Sequence, residues 1–205
     1  MLSSHIASQI YKNFGFDPTP GQKTVVERLS RFIAEAPTDR TFILNGYAGT
    51  GKTTLVAALV RTLEEMGVPA VLLAPTGRAA KVMSRYAGRK AYTIHKKIYR
   101  QKTLASAESH FSLDYNKQKN AVFIVDEASM LSNYSPDGSL FGSGQLLDDL
   151  VTYVRRGAGC RLILVGDTAQ LPPVGLEHSP ALDMQHMQGY GEAEAVLLDD
   201  VVRQD

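Results

Sequence analysis

The sequence predicts an α/β fold in which helices flank a parallel sheet, and three observations carry that prediction. The stretch Gly46-Tyr47-Ala48-Gly49-Thr50-Gly51-Lys52-Thr53-Thr54 lies between the apolar run Phe42-Ile43-Leu44 and a helical pattern that begins at Lys52. That is the setting of a phosphate-binding loop. Strand, loop and helix then recur from Ala70 to Ala80, as they do in sheets built from parallel crossover units. A further apolar run, Ala121 to Val125, ends in the adjacent acids Asp126 and Glu127. Functional loops of such sheets gather at the carboxyl ends of the strands.

The elements follow in order. Leu2, Ile6, Ile10 and Phe14 recur at helical spacing and stop at Gly15, which predicts a short amphipathic helix. Thr19 is placed to cap a second helix with Pro20 in its first turn, and Val25, Val26, Leu29, Phe32 and Ile33 share one face of it. Phe42 to Leu44 is the first buried strand, and Leu55, Val56, Leu59, Val60 and Leu63 mark the apolar side of the helix after the loop, which Gly67 ends. Ala70 to Leu73 is a second strand, and Thr76 can cap the helix that follows. Thr93-Ile94-His95 leads into a short helix. From about 96 to 120 periodicity weakens, as expected of a small insertion. Asn133 to Gly144, rich in Gly and Ser, reads as a mobile loop. A helix through Leu146 to Val154, a fourth strand at Arg161 to Val165 and a fifth at Ala195 to Leu198 complete the pattern.

The loop's chemistry follows from its glycines. Gly46, Gly49 and Gly51 allow tight turning, so the N–H groups from Gly46 through Ala48, Gly49, Thr50, Gly51, Lys52, Thr53 and Thr54 point at a triphosphate seated on a helix N-terminus. Lys52 reaches the β- and γ-phosphates, and the Thr53 hydroxyl completes the shell of a Mg²⁺ ion. Two adjacent acids at a strand end are costly unless they serve a cation or a water. Asp126 is therefore expected to hold Mg²⁺ through its water shell, and Glu127 to orient and deprotonate an attacking water. Gln170, in Gly166-Asp167-Thr168-Ala169-Gln170 after the fourth strand, is either a γ-phosphate sensor or a turn residue.

Composition bounds the remaining classes. At 205 residues and 44% hydrophobic content, one sizeable core and one domain are expected. A single cysteine, Cys160, excludes a disulfide framework. The N-terminus has no charged region followed by an apolar stretch, and no run is long enough to span a bilayer, so a soluble, cytoplasmic protein is expected. The net charge of +1 conceals a division: from Arg78 to Lys119 eleven Lys or Arg face two acids, whereas from Asn120 onward four face thirteen. A basic middle third fits either a polyanion partner or a solvated face.

These motifs, in this order, resemble the first RecA-like motor domain of superfamily 1 DNA helicases, most closely the RecD- and Dda-like group. The matching residues are Gln22, Gly46 to Thr54, Ala74 to Ala80, Thr93-Ile94-His95, Val125 to Met130, Gly166 to Gly175 and Val202-Arg203-Gln204. The resemblance implies a RecA-like P-loop NTPase domain over residues 1–205, with N-terminal helices at 1–36 and ATP and Mg²⁺ as ligands. It further implies that Gln22 reads adenine, that Arg203 reaches the γ-phosphate, and that single-stranded DNA runs along Pro75, Thr76, Arg78, Thr93 and His95. In this group a small hairpin at the place of the insertion serves as a strand-separating pin, although a plain surface loop fits the sequence equally. The group moves 5′ to 3′ and takes an arginine finger from a second RecA-like domain. With the chain ending at Asp205, that domain is expected to be missing, hydrolysis to be weak and unwinding absent. Two readings from other classes stand beside this one: a nucleotide-dependent switch that binds a protein, and a metabolic kinase with Asn133 to Gly144 as its lid.

Overall fold

The computed structural model describes residues 1–102, 110–134 and 140–202. Two helices come first, α1 (Leu2–Phe14) and α2 (Pro20–Glu35). Ile6, Ile10 and Phe14 of α1 are buried, whereas Leu2 is exposed. Helix α2 starts where the sequence puts it, because Thr19 and Gln22 form a reciprocal capping box that satisfies donors at the helix start. Strand β1 (Thr41–Gly46) leads into α3 (Lys52–Glu65), and β2 (Ala70–Ala74) into α4 (Gly77–Ala87), capped by Thr76. Then come β3 (Ala91–Thr93), α5 (Ile94–Ile98), β4 (Tyr99–Lys102), β5 (His110–Leu113) and β6 (Val122–Val125). Helix α6 (Leu146–Arg156), β7 (Arg161–Gly166), the one-turn helix α7 (Met184–Met187) and β8 (Ala193–Leu198) close the order.

Six strands form one parallel sheet in the order β3-β2-β6-β7-β1-β8. Its strands are apolar on both faces, as a sheet covered on both sides requires. Phe42 and Leu44 of β1 face one core with α1, α2 and α3, while Ile43 faces the other; in β6, Val122 and Ile124 divide from Phe123 and Val125 in the same way. The second core is closed by Ile94 and Ile98 of α5 and by Leu147, Leu150, Val151 and Val154 of α6. Strand β3 went unforeseen, since three residues between Lys90 and a helix cap give periodicity nothing to register. Among the described residues, no helix is long and apolar enough to cross a membrane.

Strands β4 and β5 pair antiparallel, with Tyr99 opposite Leu113 and Lys102 opposite His110. Asn133 to Gly144, expected as a mobile loop, makes contacts at both of its described ends; residues 135–139 lie outside the described residues. Asn133 Nδ2 donates to Asp148 Oδ1 at 2.8 Å and to the Tyr190 hydroxyl at 2.9 Å. Beyond the gap, Phe111 N donates to Leu140 O at 3.1 Å, and Gly142 N to Phe111 O at 2.7 Å. Phe141 stacks on Phe111 with ring centroids 4.6 Å apart and also meets His95 and Tyr99. An apolar anchor inside a stretch that looks like linker holds it to the hairpin, which also weighs against a kinase lid.

The charge division has a spatial counterpart. Helix α4, β3, α5 and the hairpin all lie at the β3 edge of the sheet. There Arg78, Lys81, Arg85 and Lys96 are exposed, and none of them is in an ion pair among the described residues. Acids at the β8 edge are neutralised instead: Glu194 by Arg28 at 2.8 Å, and Glu192 by Arg40.

Candidate nucleotide site and nucleic-acid face

The carboxyl ends of β1, β6 and β7 converge on one cleft. Its wall at the phosphate loop is a cavity of about 550 Å³ lined by Phe16, Gln22, Tyr47, Gly49, Thr50, Gly51, Lys52, Thr53, Thr54 and Val202. Gly49 and Gly51 hold φ of 77° and 84°, the left-handed region that glycine enters without Cβ strain. At Gly51 a Cβ would also come within 2.5 Å of Gln22 Nε2. Gly51 caps α3 and, having no side chain, makes no cap bond, while Thr50 Oγ1 donates to Tyr47 O at 2.7 Å. The first amides of α3 are thus left for an anionic guest.

Lys52 lies folded over the loop, its ammonium donating to Tyr47 O at 2.8 Å and to Gly46 O. Its stem packs on Gly46, where a Cβ would lie 2.9 Å from Lys52 Cγ and Cδ. Burial lowers the Lys52 pKa, opposed by Asp167, Asp126 and Glu127. These acids face Lys52 across the cleft, so the site is polarised before any ligand arrives. Asp167, at the end of β7, is only 5% exposed and accepts from Ala169 N at 2.8 Å. Sequence reading gave it no role, although it obeys the same strand-end rule as Asp126.

Asp126 and Glu127 differ in their surroundings. Asp126 Oδ1 accepts from Glu127 N at 2.8 Å, and Oδ2 accepts from the Tyr86 hydroxyl at 2.5 Å. Glu127 sits at φ 54°, one of two non-glycine residues at positive φ among those described. Such a backbone costs about 1 kcal/mol or more and persists where a site demands it. Burial raises the Glu127 pKa first, and Asp126 adds to the rise, against Lys52 and a hydrogen bond from the Gln170 side chain. A carboxyl shifted toward neutrality is better matched to taking a proton from water. Gln170 is thereby brought into the site; Arg203 lies outside the described residues.

The shifted carboxyl has a stability signature. Glu127 binds its proton more tightly folded than unfolded, so its contribution favours the fold at low pH and is lost as pH rises through the raised value. Glu127→Gln is accordingly expected to raise Tm at pH 7, with the gain closing as pH falls through the raised value toward the ordinary carboxylate range. Differential scanning fluorimetry across that range checks it, and a gain independent of pH would contradict the assignment.

Mg²⁺ takes few protein ligands and completes an octahedron with water and phosphate oxygens. Among the described residues no cluster of three or more His, Cys, Asp or Glu is placed to hold a metal. Asp126, directly after β6, and the exposed Thr53 at the start of α3 are oxygen donors of the kind that demand calls for.

The remaining predicted residues divide into two groups. Gln22 is 1% exposed, and both ends of its amide are engaged: Oε1 accepts from Thr19 N at 2.9 Å, and Nε2 donates to Thr50 O at 3.0 Å. It joins α2 to the phosphate loop, whatever else its second N–H meets. Thr76 and Thr93 accept from Ala79 N and Lys96 N, both at 3.2 Å, as caps of α4 and α5, which leaves each hydroxyl proton free to donate. Pro75 is half-buried and Arg78 exposed beside them. His95 is half-buried between Tyr99 and Phe141, with ring centroids at 5.6 and 5.0 Å. Burial lowers its pKa, and its ring contacts join α5 to β4 and to Phe141. Tyr86 was missed entirely, because nothing in its local sequence marks it.

A family model described as AAA domain matches residues 18–205. The chain is 32% identical over 160 residues to the ATP-dependent RecD2 DNA helicase of Deinococcus radiodurans, covering 77% of this chain and 19% of that protein. It is 33% identical over 165 residues to the ATP-dependent DNA helicase dda of Enterobacteria phage T4, covering 77% of this chain and 33% of that protein. The crystal structure of Pif1 helicase from Candida albicans aligns with a TM-score of 0.54 at 18% identity, over 92% of this chain and 41% of that one, a likeness of fold alone. The chain thus spans at most a third of the length of these two curated helicases. With a phosphate loop, a paired-acid strand and a glutamine-bearing turn on one parallel sheet, the chain belongs to the AAA-domain family, as the first RecA-like motor domain of the superfamily 1 helicase type.

Proposed function

We propose that residues 1–205 bind and hydrolyse ATP with Mg²⁺ and couple that cycle to single-stranded DNA held at the β3 edge, in a translocase or helicase. The observation that carries the reading is the convergence of Lys52, Asp126, Glu127 and Asp167 on one cleft, with Glu127 strained and Gln170 on its carboxyl. Lys52 and the amides of α3 grip the β- and γ-phosphates. Glu127 takes the proton of a water that attacks the γ-phosphorus, while ADP departs with the bridging oxygen. Asp126 and Thr53 would hold Mg²⁺, which would supply positive charge to offset that of the phosphates. Gln170 exchanges its bond to Glu127 for one to the γ-phosphate, which makes it a sensor. Motion is 5′ to 3′ by resemblance, with the β4–β5 hairpin as separating pin. No arginine lines the described cleft, so the full rate requires one from Arg203 or from a second RecA-like domain.

Binding of fluorescein-labelled (dT)20 to the chain tests the DNA side by anisotropy. If Arg78, Lys81, Arg85 and Lys96 each neutralise one phosphate, log affinity falls with log salt at a slope of about −3, or about 50-fold between 50 and 200 mM. Absent or salt-independent binding would favour the protein-binding switch.

A further inference from the structure

Helix α4 connects two sites that lie far apart in the sequence. Its first turn carries Arg78 beside the Thr76 cap, at the proposed DNA track. Eight residues on, about 12 Å along the axis, Tyr86 turns inward, and its hydroxyl donates to Asp126 Oδ2 at 2.5 Å. Two residues past the end of α4, Arg89 Nη1 lies 3.1 Å from Glu64 Oε1 of α3, an exposed ion pair. The Ser84 hydroxyl, accepting from Ala91 N at 2.8 Å, fixes α4 to the start of β3. These contacts join an 11-residue helix to β3 and to the acid at the end of β6.

Among the described residues Asp126 has two donors, Glu127 N on one oxygen and Tyr86 on the other. The first is local and follows the backbone; the second comes from another element and sets the plane of the carboxylate. The Tyr86 ring also packs on the core cluster that includes Met83 and Ala87, so the ring fills space and the hydroxyl alone reaches the acid. We propose that Tyr86 is a positioning residue that orients Asp126 toward Mg²⁺ and transmits displacement of α4 by single-stranded DNA to the metal site. The proposal deepens the ATPase reading given above and rests on it. An acid turned by its partner presents a different lone pair to the metal shell, and outer partners of this kind govern metal affinity.

The test uses the whole chain with mant-ATP as probe. Tyr86→Phe keeps the ring and deletes the donor. Its metal-free affinity for mant-ATP, measured in EDTA, and its Tm are expected to stay at the wild-type values. The Mg²⁺ concentration that half-saturates the Mg²⁺-dependent fluorescence is expected to rise about tenfold. Tyr86→Met, which fills the slot without a hydroxyl, is expected to give the same shift. Saturating (dT)20 is expected to move the Mg²⁺ midpoint of the wild type but not of either variant. An unchanged Mg²⁺ midpoint, or equal losses in EDTA and in Mg²⁺, would overturn the positioning role, and an equal DNA effect in all three proteins would overturn the transmission. If the wild type binds no mant-ATP at all, the ATPase reading itself has failed, and that arm reports it separately.

Discussion

Glu127→Gln is expected to slow ATP hydrolysis about 10²–10⁴-fold while leaving nucleotide affinity within about threefold of wild type. The substitution preserves size and leaves one hydrogen-bond acceptor, but removes the carboxylate that, among the described residues, is best suited to accept a proton from water. Asp126 is a poor substitute, since both its oxygens already accept from Glu127 N and Tyr86. Asp167 is nearly buried and accepts from Ala169 N in its own turn. Binding should survive because the proposed phosphate contacts are those of Lys52 and the α3 amides and not of Glu127. Single-turnover phosphate release and mant-ATP titration on the same samples separate the two effects. Retained hydrolysis would remove Glu127 from the role of base; a parallel loss of affinity would make it a binding residue.

Lys52→Ala is expected to act at the other step, weakening nucleotide affinity about 10–100-fold with hydrolysis lost as a consequence. Charge-assisted hydrogen bonds contribute about 1.5–3 kcal/mol each, and every 1.4 kcal/mol is a tenfold change. The ammonium already holds Tyr47 O and Gly46 O within the loop, so little reorganisation separates that state from one that grips phosphate. The fold should tolerate the change: the bonds lost are to carbonyls at a loop that water reaches, and the cost should stay within about 1 kcal/mol. Isothermal titration with ATP, alongside Tm, distinguishes the two. Wild-type affinity in the variant would mean that the loop's amides alone bind the triphosphate.

Elements were legible where the chain is locally repetitive. Apolar spacing located α1, α2, α3 and α6, and the buried runs gave β1, β2, β6, β7 and the end of β8, because period and burial are local properties of consecutive residues. The phosphate loop was legible for the same reason, since its glycines, lysine and hydroxyls must be contiguous to wrap one ligand. Asp126 and Glu127 could be read because a charged pair ending an apolar run conflicts with burial.

What escaped were relations across long separations. Spacing said nothing of Phe141 holding a hairpin 30 residues upstream, or of a loop pinned by Asn133 through Asp148 and Tyr190. Gln22 was legible as a first-turn residue, but its bond to Thr50, 28 positions away, was not. The strand order that places β7 between β1 and β6 fixes the width of the cleft, and no single strand's sequence carries it. The sequence by itself determined which residues have the chemistry for phosphate, metal and proton transfer. Only the tertiary structure decided that Tyr86, 40 positions before Asp126, sets that carboxylate, since a hydrogen bond is specified by atoms 2.5 Å apart in space and leaves no period along the chain.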